Sequence, residues 1–284
     1  AVEALYQATV QLQTDNAADE LQAAFSFPDD PTATGFNCGL LCCIPKAADD
    51  TLADGTAVFA PASTRPLLVV NTDNRLIANS ARLRWEPALE PWVSSTQQGF
   101  LADRSMLKNV MDVEEAAMTA ALERPNAGLI LFDFAAAFPS ISQSFLFKSL
   151  EHLGAPQNVL NFVSALYHDV QCVVSLLGST YPGLNMTAGM RQGCPLSPLL
   201  YVIAAESLLR ALTRALKKST TRAFADDTAT VLIDIWRDLP KARLVFDTFA
   251  KVSNLRLNIS KTILIPLGDL SPEQIADTLQ AQND

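Results

Sequence analysis

Asp226 and Asp227 stand side by side in the run Arg222-Ala-Phe-Ala-Asp-Asp-Thr-Ala-Thr-Val-Leu-Ile233, which reads as two apolar strands joined by a tight turn. Aspartate is depleted from strands, so a pair at a strand–strand joint calls for a reason. An ordinary Asp-rich hairpin turn is the plain alternative. What argues for chemistry is a third, isolated carboxylate, Asp133, closing the apolar strand Gly128-Leu-Ile-Leu-Phe-Asp133. Three acids converging at one sheet edge would raise each other's pKa unless a divalent cation neutralised them. An all-oxygen donor set points to Mg²⁺, with Mn²⁺ as the alternative, rather than to zinc. Two such ions, about 3.5–4 Å apart, can hold the attacking and leaving oxygens of an in-line phosphoryl displacement.

The rest of the chain must position these acids. The patterning predicts helices over 14–25, 74–85, 103–122, 143–153, 157–168, 198–218 and 240–252, with Asp103 and Ser197 as caps and Pro87 and Pro91 as breakers. Strands are expected over 36–45, 65–70, 128–134 and 262–265, and hairpins over 172–187 and at the paired aspartates. Residues 49–62, rich in Asp, Ala, Thr and Pro, read as a mobile loop. Ser271-Pro-Glu-Gln274 has the form of a capping box opening a last helix. Strand, helix, hairpin, helix, hairpin, helix, strand is the order of an α+β domain with an antiparallel sheet backed by helices.

Bulk properties set the limits. With 284 residues, 49% of them hydrophobic and 18% charged, the chain can bury a full core. The longest uncharged stretch, 170–190, is broken by Gly178, Pro182, Gly183, Asn185 and Gly189, so no membrane span is expected. The chain has no signal peptide and no initiator Met, which reads as a piece of a longer protein located inside the cell, nuclear or cytoplasmic. Five cysteines, with only His152 and His168 as histidines, fit reduced, buried thiols better than a zinc site or a disulfide framework. A net charge of −9 opposes a polyanionic partner, but nine of the acids fall in residues 1–60 against the single base Lys46. The remainder carries 21 acids and 20 bases.

At this point several motifs resemble those of the reverse transcriptases, most closely the non-LTR retrotransposon type, over about Phe36 to Leu267. Leu131-Phe-Asp133-Phe-Ala-Ala-Ala-Phe138 resembles the first catalytic motif, and Phe224-Ala-Asp226-Asp227 the xADD box. Arg191-Gln192-Gly193-Cys-Pro195-Leu-Ser197-Pro198 is similar to RQGxPLSP, and Ser253-Asn-Leu-Arg-Leu-Asn258-Ile-Ser-Lys261-Thr262 to SGLxxNxxKT. Ile44-Pro-Lys46, Arg65-Pro66 and Gln98-Gly-Phe100 with Arg104-Ser105 look like fingers motifs. The departures are Ala136, Pro139 and Asn254, none of them a metal ligand.

The resemblance implies a right-hand polymerase palm with an N-terminal fingers subdomain and no thumb: fingers over 1–127, including the acidic segment, and palm over 128–284. It implies RNA-directed DNA polymerase activity with Mg²⁺, an RNA template, a DNA primer and dNTPs, within a larger polyprotein that carries a thumb, an accompanying endonuclease or RNase H being left open. Asp133, Asp226 and Asp227 would be catalytic metal ligands. Lys46, Arg65, Phe138, Gln192, Gly193 and Lys261 would bind the nucleotide, Phe138 excluding a ribose 2′-hydroxyl and Lys261 protonating pyrophosphate. Arg191 would contact the template. The rival readings are an inactive remnant serving as a binding module and an RNA-dependent RNA polymerase.

Overall fold

The computed structural model describes residues 35–176 and 178–281; the helix expected over 14–25 lies outside them. The described residues form two compact units, each made of two segments: residues 35–85 with 147–197, and residues 86–146 with 198–281. This division by compactness is distinct from the expected partition by role, fingers over 1–127 and palm over 128–284. A later stretch of chain returns to the first unit because its strands complete that unit's sheet.

In the first unit, β1 (Gly39–Pro45) pairs antiparallel with β4 (Thr64–Val70), from Gly39 opposite Val70 to Pro45 opposite Thr64. Between them, residues expected as a loop hold a small hairpin of β2 (Asp50–Thr51) and β3 (Ala57–Val58). On its other edge β1 pairs parallel with β6 (Gln171–Leu176), which forms a bulged hairpin with β7 (Ser179–Asn185). Leu68, Val70, Val170 and Cys172 pack together in its core, with Leu41 and Met186 against them. Helix α1 (Thr72–Leu89) buries Asn74, Ile77, Ala78 and Ala81, the 3–4 spacing of one helix face. It runs through Pro87, which was expected to end it. The proline sits in the last turn, where it removes one hydrogen bond without interrupting the buried face.

In the second unit the sheet order is β10 (Ile263–Pro266), β5 (Gly128–Phe132), β9 (Asp227–Leu232), β8 (Thr220–Phe224), antiparallel throughout. Helix α2 (Met106–Glu123) covers one face through a cluster of Ala120, Ala127 and Val231. Its cap is Ser105, whose hydroxyl accepts from the Leu107 N–H, and not the expected Asp103. A short helical turn, α3 (Ala137–Ser140), follows β5, and α4 (Gln143–Leu153) and α5 (Gln157–Tyr167) lead back to the first unit. Helix α6 (Ser197–Ala215) is apolar around most of its girth, with Leu200, Val202, Ala204 and Leu212 all fully buried.

Helix α7 (Ile235–Ser253) begins five residues before the expected Pro240, because Asp234 caps it by accepting from the Arg237 N–H. Phe246 on α7 packs against Phe132 at 4.5 Å between ring centroids. The last helix, α8 (Pro272–Ala281), opens with the expected capping box. The Ser271 hydroxyl accepts from the Gln274 N–H while Gln274 Oε1 accepts from the Ser271 N–H. Among the described residues, no helix is long and apolar enough to cross a membrane.

Candidate functional site at the palm hairpin

Phe224 pairs with Asp227, so Ala225 and Asp226 alone make the turn between β8 and β9. Ala225 has φ 59°, the left-handed region that a two-residue hairpin turn demands and that glycine usually supplies. An alanine there costs about 1–2 kcal/mol relative to its preferred backbone, so surrounding structure must hold the turn. Asp226 is half-buried at the tip, and Asp227 is exposed as the first residue of β9.

The neighbouring strand brings in the third acid. Phe132, the last residue of β5, pairs with Thr228, so Asp133 follows the strand at the end of the sheet where Asp227 opens β9. On the opposite edge Ile263 pairs with Leu131, which brings the exposed Lys261 to the same end of β5. Beyond β5 the backbone stays paired: Asn258 N–H donates to the Asp133 carbonyl at 2.7 Å, and Ala135 N–H to the Arg256 carbonyl. Thr262 Oγ1 accepts from the Asp133 N–H. Asn254, a departure from the family pattern, occupies the left-handed region at φ 62° as the α7 cap, a conformation that Asn tolerates, and donates from Nδ2 to the Ser140 carbonyl.

The acids thus share one end of one sheet. Among the described residues, no group of three or more His, Cys, Asp or Glu side chains is gathered so as to hold a metal ion. The donor chemistry, carboxylate oxygens at adjoining strand ends, fits a hard divalent cation; the side chains are not closed around one.

An aromatic pair lies within electrostatic reach of the acids through Tyr201. Phe138 stacks on Tyr201 with centroids 4.6 Å apart and planes 12° apart, and meets Phe100 edge-on at 6.0 Å. The Tyr201 hydroxyl is held far above the ordinary phenol range, first by its burial and then by the negative charges of Asp226 and Asp227.

The 90–105 segment braces this hairpin. Arg104 binds its loop closed, donating from Nη1 to the carbonyls of Ser94 and Gln97 and from Nη2 to those of Glu90 and Val93. Glu206, fully buried on α6, accepts from the Ser94 N–H at 3.0 Å and pairs with Arg210 at 2.7 Å. The loop then joins β8: Gln98 N–H donates to the Ala223 carbonyl, as does Nδ2 of Asn109 on α2, and Ala223 N–H donates to the Thr96 carbonyl. Motif reading passed over Gln97 and Glu206. The signal for Glu206 was present, since it is the only charged residue between Arg191 and Arg210.

The remaining expected residues lie in the first unit. Lys46 and Arg65 are exposed. Arg65 pairs with Ile44, and the Lys46 N–H extends the ladder by donating to the Ser63 carbonyl, so both bases fall on one face of the β1–β4 pair. The Gln192 carbonyl accepts from the Leu68 N–H at 2.8 Å. Gly193 has φ 113°, and a Cβ there would lie 2.6 Å from the Leu68 carbonyl oxygen, so only glycine fits.

Arg191 corrects an expectation. Its side chain is fully buried rather than offered to a template. It donates to Asn37 Oδ1 at 3.4 Å and to Cys194 Sγ at 3.7 Å and lies 5.3 Å from the Tyr167 ring centroid. Burial is the main reason that Tyr167 is pushed up to about 12. Arg191 is a strut beneath the Gln192–Gly193 turn. Of the cysteines, expected as buried thiols, Cys38, Cys172 and Cys194 are buried, Cys42 is half-buried and Cys43 is exposed; all are free.

A sheet that carries acids at its strand ends and a braced Asp-Asp hairpin defines a polymerase-type palm. Comparison with known proteins agrees. The family described as "Reverse transcriptase (RNA-dependent DNA polymerase)" matches residues 44–268. The chain is 27% identical over 207 residues to the "Transposon TX1 uncharacterized 149 kDa protein" of Xenopus laevis, covering 70% of this chain and 16% of that protein. It is 25% identical over 214 residues to a "Retrovirus-related Pol polyprotein from type-1 retrotransposable element R2" of Popillia japonica, covering 72% and 30%. Among solved structures, apo telomerase from Candida tropicalis, truncated from its C-terminal domain, superposes with a TM-score of 0.61 at 13% identity, over 84% of this chain and 51% of that one. Telomerase from Candida albicans gives 0.59 at 14% identity, over 87% and 45%. These last two show the fold. The chain belongs to the reverse transcriptase family, and it spans less than a third of the length of these two retroelement relatives.

Proposed function

We propose that this chain carries the catalytic centre of an RNA-directed DNA polymerase, adding deoxynucleotides to a primer 3′-hydroxyl under the direction of an RNA template. The observation that supports this most is the pairing of Phe132 with Thr228, which leaves Asp133 and Asp227 at the same end of one sheet as the hairpin tip occupied by Asp226. Asp133, Asp226 and Asp227 would hold Mg²⁺, or Mn²⁺ in its place. When bound, such ions would make the primer hydroxyl a better nucleophile and neutralise the departing pyrophosphate.

The chain's own residues supply the rest. The Phe138 ring, set by its stack on Tyr201, would abut the sugar and exclude a 2′-hydroxyl. Lys46 and Arg65, exposed cations on one sheet face, would neutralise triphosphate oxygens. Gln192 and the Gly193 backbone would lie along the incoming nucleotide. Lys261, at the strand end next to Asp133, would give its proton to pyrophosphate. RNA template, DNA primer, dNTPs and the remainder of a larger polyprotein are the implied partners.

A second reading, a catalytically silent binding module, draws on the acid side chains not being gathered around a common point. Primer extension on an RNA template with a DNA primer decides, using the protein at its full natural length, Mg²⁺ or Mn²⁺, and dNTPs or NTPs in separate arms. The expected result is dNTP-dependent extension that Asp226→Asn lowers on the order of 1000-fold, the loss of several kcal/mol of charge stabilisation. Equal signals from wild type and Asp226→Asn would overturn the proposal, and extension with NTPs alone would make the chain an RNA polymerase.

A further inference from the structure

Ala225 holds a left-handed backbone that its side chain disfavours, and one side chain grips it from both ends. Gln97 is fully buried. Its Oε1 accepts from the Ala225 N–H at 2.9 Å and from the Gly99 N–H at 2.8 Å, while its Nε2 donates to the Ala225 carbonyl at 3.2 Å. Both backbone polar groups of the strained residue are thereby satisfied by a single amide. The fit is close: a Cβ on Gly99 would lie 2.3 Å from the Ala225 nitrogen. The amide is itself fixed, because its loop is closed by Arg104, tied to α6 through Glu206 and joined to β8 through Ala223.

We propose that Gln97 is the positioning residue of the catalytic hairpin. By clamping Ala225 it fixes the turn that carries Asp226 and sets where that carboxylate points, without itself touching nucleotide or metal. The inference rests on the polymerase reading of Asp226. The clamp keeps a non-glycine residue in a conformation that would otherwise relax, and relaxation would swing the adjacent acid off its line.

The test uses Gln97→Met, which keeps the side chain's volume and removes all three hydrogen bonds, alone and combined with Ala225→Gly. Glycine adopts positive φ unaided, so it should replace the clamp. In primer extension by the protein at full natural length, Gln97→Met should lower kcat on the order of 100-fold, the scale of a catalytic group displaced by about 1 Å, with KM for dNTP little changed. The double variant should recover most of that loss. In parallel, backbone amide exchange at Asp226–Thr228 should speed up in Gln97→Met and slow again in the double variant.

Unchanged kcat and unchanged exchange in Gln97→Met would overturn the proposal. So would a double variant as impaired as the single one, since Gln97 would then be mere core filling. Should the wild-type protein extend no primer, the polymerase reading fails, and the exchange experiment still decides whether Gln97 holds the turn.

Discussion

Glu206 offers a quantitative check on how the loop that carries the clamp is held. Replacing it with alanine removes a charged acceptor from the Ser94 N–H and Oγ and from Arg210 Nε. A hydrogen bond to a charged, buried acceptor contributes about 1.5–3 kcal/mol. The Arg210 side chain is 38% exposed, so solvent screens the ion pair and its share is at most about 1 kcal/mol. The expected loss for Glu206→Ala is therefore about 3 kcal/mol, most of it from Ser94, and Glu206→Gln, which keeps a neutral acceptor, should cost about half as much. At about 2–4 °C per kcal/mol for a chain near this size, the alanine variant should melt about 6–12 °C lower.

Urea unfolding read by tryptophan fluorescence is the assay, because the Trp92 ring lies under the Arg210 guanidinium at 4.6 Å. A double-mutant cycle with Arg210→Ala separates the two parts. A total loss under about 1 kcal/mol would refute the buried-acceptor argument. A coupling energy above about 3 kcal/mol would mean that the ion pair, and not Ser94, carries the effect.

Two further outcomes are expected. Burial alone would raise the pKa of Asp238, but its hydrogen bonds with Arg237, together with Lys241 at 3.4 Å, hold it below the ordinary value. A depressed folded-state pKa contributes stability that is full above the unfolded value of about 3.9 and fades as pH falls through the lower folded one. Asp238→Asn should flatten the acid limb of the stability curve in that window, and denaturant curves parallel to wild type would contradict it. Gly99→Ala puts a methyl 2.3 Å from the Ala225 nitrogen. It should destabilise by about 1–3 kcal/mol and lower primer extension; a variant with unchanged melting and unchanged extension would show that the loop and hairpin are not tightly joined.

Much of the candidate site was legible in residue types. Asp133, Asp226 and Asp227 stood out because acids at strand ends are unusual, and the register then placed them at one end of one sheet. Gln97 was not legible: a glutamine beside a motif glutamine gives no sign that its amide is buried and bound at both ends. Arg191 misled for the opposite reason, since an arginine in a nucleic-acid motif suggests a phosphate contact, and only packing shows that it is sealed among Asn37, Tyr167 and Cys194. The start of α7 was missed because Pro240 looked like an N-terminal proline, whereas the cap is Asp234, six residues earlier. The unit boundaries were hidden because pairing of β1 with β6 joins residues more than a hundred positions apart, and local pattern carries no record of that.

That pairing bears on how the chain is made. On a ribosome β1 emerges long before its partner at Gln171–Leu176. At about 5–20 residues per second, its edge waits on the order of ten seconds with a row of unmatched amides and Cys42 and Cys43 beside them. The nascent protein must shield that edge from other copies of itself, so expression trials should find that added chaperone raises the soluble yield more than any change near the aspartates.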